Sequence, residues 1–92
     1  MATLNTLHIV NRTPDQARFQ HCLAALADGD ALLLTENAVL ALAGNHLAGV
    51  TVPVYALVAD AAARSLEPGA EQGIDYAGMV SLSARAKRVI SW

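Results

Sequence analysis

Cys22 is the chain's one thiol and its plainest reactive group. To carry sulfur it would have to be exposed and partly ionised, and Arg18, one helical turn earlier, could stabilise a negative sulfur. As structure it fills an apolar stripe with Phe19, Leu23 and Leu26, where a free cysteine behaves as a small hydrophobe. A mid-helix sulfur lacks the N-terminal dipole that lowers thiol pKa, and unperturbed it is only a few per cent thiolate near neutral pH. His8, His21 and His46 are far apart in sequence, and His21 points about 100° away from Cys22 on a helix, which discourages joint metal ligation. Gly44 to Gly49 has the glycine spacing of a phosphate loop, but Val50-Thr51 stands where Lys-Ser/Thr is required. Thr35-Glu36-Asn37 follows a strand, where open α/β sheets place ligands, although an ordinary capped turn explains it equally well. Nucleophile elbow, zinc motif and dinucleotide fingerprint are all missing from the sequence, so no cofactor and no metal are expected.

The elements that must position these residues alternate between strand and helix. Leu4 to Val10 reads as a first strand with Leu7 and Ile9 on one face and His8 and Val10 on the other. Thr13-Pro14-Asp15-Gln16 predicts a helix start, with threonine as cap and proline at the first helical position, and Asp28-Gly29-Asp30 closes that helix. Ala31-Leu32-Leu33-Leu34 fits a strand buried on both faces. Asn37 to Ala43 predicts a short helix, Val50 to Val58 a third strand, and Asp60 a cap for a helix over Ala61 to Leu66. A loop from Glu67 to Gly73 leads to Ile74, the stub of a fourth strand, and Asp75 caps a last helix reaching about Arg88. The β-α repetition predicts an α/β fold, a mainly parallel sheet of about four strands covered by helices on both faces. Tyr76 and Trp92 read as core or interface aromatics, and a terminal tryptophan suggests a docked tail.

With 92 residues the chain holds one domain. Only 15% of residues are charged while 54% are hydrophobic, which excludes disorder and leaves a small body short of polar cover, so part of its surface is expected to meet protein. A net charge of −2 argues against direct nucleic-acid binding, which needs clustered Lys and Arg. No charge falls between Glu36 and Asp60, but Gly44-Asn45-His46, Gly49 and Pro53 interrupt that stretch and argue against a membrane span. The opening Met1 to Thr6 lacks a basic region followed by an apolar one, and a lone cysteine suits a reducing compartment, so the chain reads as cytosolic.

Three stretches in this order carry a family resemblance. They are Leu7-His8-Ile9-Val10-Asn11-Arg12-Thr13-Pro14, then Gly29-Asp30-Ala31-Leu32-Leu33-Leu34 with Glu36-Asn37-Ala38-Val39, then Ile74-Asp75-Tyr76-Ala77-Gly78-Met79-Val80 before Ser91-Trp92. Together they resemble the DsrH/TusB family of the DsrE-like superfamily through most of the chain. The resemblance implies a small three-layer α/β/α subunit assembling with TusC-like and TusD-like paralogues into a heterohexamer that relays persulfide sulfur toward 2-thiolation of the tRNA wobble uridine. It implies a catalytic cysteine on the TusD-like partner, a TusA-like donor and a TusE-like acceptor, which leaves this chain a noncatalytic, structural subunit. In family members from sulfur-oxidising bacteria a cysteine stands on the first helix, and Cys22 matches that place, so a persulfide carrier in sulfur oxidation is the alternative. A small-ligand-binding domain is the third reading, and an isolated chain could form a homo-oligomer. The family's Asp-Gly-Val pattern appears here as Asn37-Ala38-Val39, and alanine does not allow the close backbone approaches that glycine does.

Overall fold

The computed structural model describes residues 3–69 and 72–92. Residues 1–2 of the opening and 70–71 of the loop expected between Glu67 and Gly73 lie outside it. The elements follow as β1 Leu4–Val10, α1 Ala17–Ala25, β2 Ala31–Leu34, a 3-10 helix Glu36–Leu42, β3 Val54–Leu57, α2 Val58–Ala63, β4 Gly73–Ile74, α3 Tyr76–Arg85 and β5 Ala86–Ser91. All strand pairs are parallel, in the order β4-β3-β2-β1-β5, so the described sheet has five strands where about four were expected.

This order dictates the layers. From β1 to β4 the chain steps steadily toward one edge, and right-handed crossovers then keep the connecting elements on one face. Accordingly α1, the 3-10 helix and Ala61 of α2 share a core with Val10, Leu32, Leu34 and Ala56. The return from β4 to β5 on the far edge brings α3 across the opposite face, where Leu82 packs with Leu7, Ala31 and Leu33. β2 is buried along its whole length, as a central parallel strand must be. The result is the three-layer α/β/α arrangement, with one face covered by several elements and the other by a single ten-residue helix.

Several elements differ from expectation. α1 begins at Ala17 with Gln16 in the cap position; Thr13 instead bonds to Asp15, while the Gln16 amide donates to the Thr13 carbonyl in a preceding turn. The segment after β2 winds as a tighter 3-10 helix over Glu36–Leu42. β3 occupies only Val54–Leu57, starting past Pro53, whose missing N–H cannot serve a ladder, and α2 starts at Val58, placing Asp60 inside its first turn. The last helix stops at Arg85, because Ala86–Ser91, with β-branched Val89 and Ile90, extends along β1 from Leu4↔Ala86 to Ile9↔Ser91. Asp75 does cap α3, accepting a 2.8 Å hydrogen bond from the Gly78 amide.

Candidate functional site

Cys22 sits on the buried stripe of α1, 0% exposed, in the cluster of Val10, Phe19, Leu32, Leu34 and Val39. Burial pushes its thiol up to about 12, because ionising it there would strand a charge among apolar groups. Arg18 lies on the exposed side of the same helix. In this packed state the sulfur is a filler of the core, and contact with a donor persulfide would require α1 to lift.

The crossover leaving β1 runs over one face through α1, and the one entering β5 runs over the other through α3, which makes the carboxyl ends of β1 and β5 the switch point where open sheets form a crevice. A cavity of about 180 Å³ lies there, lined by Ile9, Asn11, Arg12, Thr35, Ser91 and Trp92. A second of about 330 Å³ adjoins it beyond Ile9 and Thr35, with Glu36, Leu57, Asp60, Tyr76 and Met79. The turn singled out in the sequence thus borders this groove, but its polar groups are engaged from within. The Glu36 amide donates to Asp60 Oδ2 at 2.7 Å, Thr35 Oγ1 donates to the Val10 carbonyl at 3.1 Å, and Arg64 donates to Asn37 Oδ1 at 2.8 Å. Glu36 adopts φ of 49°, a left-handed conformation uncommon for a non-glycine residue. Asp60 occupies the position an incoming anion would take at that amide.

A buried polar network at the opposite end of β1 escaped the sequence reading. The Asp30 carboxylate accepts from the Thr6 amide at 3.1 Å, the Ala27 amide at 3.0 Å and His8 Nε2 at 3.0 Å. Burial alone would raise the Asp30 carboxyl, but the hydrogen bonds from His8, Ala27 and Thr6 outweigh it and hold the group below its ordinary value. On the other side of the imidazole, Trp92 Nε1 donates to His8 Nδ1 at 3.1 Å, and the Trp92 amide donates to the Ile9 carbonyl at 2.8 Å. The tail is therefore docked. Period-two alternation had put His8 on the Val10 face, yet Asp30 had no visible signal beyond its place in a turn.

His21 and His46 are exposed, so the three histidines occupy different surroundings. Among the described residues no group of three His, Cys, Asp or Glu side chains is placed to hold a metal ion. Among the same residues no helix is long and apolar enough to cross a membrane.

A five-stranded parallel sheet with helices on both faces and a crevice at its carboxyl edge defines a small three-layer α/β protein. The family model for DsrH like protein matches residues 12–89. The chain is also 34% identical over 94 residues to Protein TusB of Shigella sonnei (strain Ss046), covering 94% of this chain and 99% of that protein. The chain belongs to the DsrH family.

Proposed function

We propose that this chain is a structural, noncatalytic subunit of a TusBCD-like assembly with TusC-like and TusD-like paralogues. The assembly relays persulfide sulfur, received from a TusA-like donor and passed to a TusE-like acceptor, for 2-thiolation of the tRNA wobble uridine in the cytoplasm. Its DsrH family membership and its likeness to a TusB protein support the pathway. The observation that carries the structural role is the uneven cover of the sheet. On one face a single helix, α3, leaves Tyr76 59% and Val80 65% exposed, with Val89 of β5 exposed on the same side. Such a face buries its apolar groups against other subunits, and a stable interface needs on the order of 800 Å² per partner.

Cys22 on this reading packs α1 against the sheet, and the reactive thiol belongs to a partner. Its burial and raised pKa favour that role over a carrier. Co-expression with the two paralogues, followed by native mass measurement, tests the assembly. The expected result is a complex containing all three chains, in equal numbers, that loses mass when this chain is omitted. A chain that purifies alone beside abundant paralogues overturns the proposal.

A further inference from the structure

Trp92 is the side chain shared by two cavities. One is the 180 Å³ groove with Asn11 and Arg12; the other, about 480 Å³, is lined by Asn5, Thr6, His8, Asp30, Lys87 and Arg88 among others. What holds the indole between them is its N–H on His8 Nδ1, with the two rings inclined by 23° and their centroids 6.1 Å apart. An indole N–H can only donate, so Nδ1 must present a bare lone pair. The ring's one proton is then on Nε2, where it meets the Asp30 carboxylate at 3.0 Å, and His8 is 2% exposed, so water offers no substitute partner. The arrangement admits one protonation state of the imidazole.

We propose that the His8–Trp92 pair is a proton-operated latch: a proton on Nδ1 sets two donors face to face, ejects the indole and joins the two cavities. The backbone bond from the Trp92 amide to Ile9 can persist while the side chain swings out, so β5 stays on the sheet. The charged groups around His8 divide as follows. From the turn after α1, the Asp30 carboxylate touches Nε2 at 3.0 Å, and Asp28 lines the same cavity. From β5, Arg88 bonds to Thr6 Oγ1 at 3.2 Å and lines the cavity with Lys87. β2 brings no titratable group, and α1 meets this cavity through Ala25, with His21 one turn earlier in the helix and Cys22 buried in the core beside Val10. Protonation therefore keeps the Asp30 contact and sacrifices the Trp92 contact.

The test follows the ¹⁵N-labelled full chain by NMR from pH 8 to pH 5, together with acrylamide quenching of Trp92, the one tryptophan. At pH 8 the His8 ring is expected with Nδ1 bare and Nε2 protonated. As the ring takes up its second proton, the indole N–H signal should shift with the same midpoint, and quenching should rise about two-fold or more. In His8→Gln the Trp92 transition should vanish, which separates it from titration of His21 and His46. The latch is overturned by a proton on Nδ1 at pH 8, by Trp92 signals that stay constant while His8 titrates, or by a transition that persists in His8→Gln. Loss of amide dispersion at the same midpoint also overturns it, since that would be global unfolding. Should His8→Gln fail to fold, co-titration in the unmodified chain decides by itself.

Discussion

Three donors converge on the Asp30 carboxylate from β1, from the turn after α1 and from an imidazole, so one side chain ties the entry of β2 to its neighbours. A carboxylate held below its ordinary value stabilises the fold above the unfolded value near pH 4, and that contribution is lost as pH falls below it toward the folded value. Asp30→Asn should lower unfolding stability by about 2 kcal/mol at pH 7, measured by urea titration, because hydrogen bonds to a buried charge are lost and an NH2 group faces backbone donors. The gap between variant and parent should shrink as pH drops from 5 to 3. A constant gap would mean that the charge itself contributes nothing. Next to it, Gly29 has φ of 87°, and a Cβ there would be strained by the left-handed backbone and would displace the Asn5 amide, 2.4 Å away, from the turn that places Asp30.

Among the elements, α3 is amphipathic in an incomplete way: Leu82 closes the core below it while Tyr76 and Val80 face outward. Val80→Asp should change the stability of the isolated chain by less than about 1 kcal/mol, since the site is exposed. The same substitution should weaken association with the paralogues about ten-fold or more, measured by titration of purified subunits. Unaltered association would place the interface elsewhere. The strand-helix alternation was legible in the sequence because Leu4 to Val10 and Ala31 to Leu34 are short apolar runs that become interior strands, and because Asp75 stands where a cap is needed. β5 was not legible. Ala86-Lys87-Arg88 continues a helical pattern, and only the vacant edge of β1 converts it to strand, a tertiary demand that overrides local preference. For the same reason the Asp30–His8–Trp92 network was hidden: its members are 22 and 84 residues apart and meet only once β1, β2 and β5 are in register.

At the scale of the whole molecule, a chain with 15% charged residues folds into a sheet that is thickly covered on one face and thinly on the other. On the function proposed above, the buried thiol and the exposed α3 face divide the labour, this subunit supplying surface and a partner the reactive sulfur. The most direct measurement is the 2-thiouridine content of tRNA, by mass spectrometry, in cells lacking the chain and complemented with either the parent or Cys22→Ala. The account predicts that thiolation falls without the chain and that both forms restore it, with the variant costing only about 1 kcal/mol of stability for the missing sulfur. Thiolation that is indifferent to the chain, or that fails with Cys22→Ala while the variant still assembles with its partners, would contradict it.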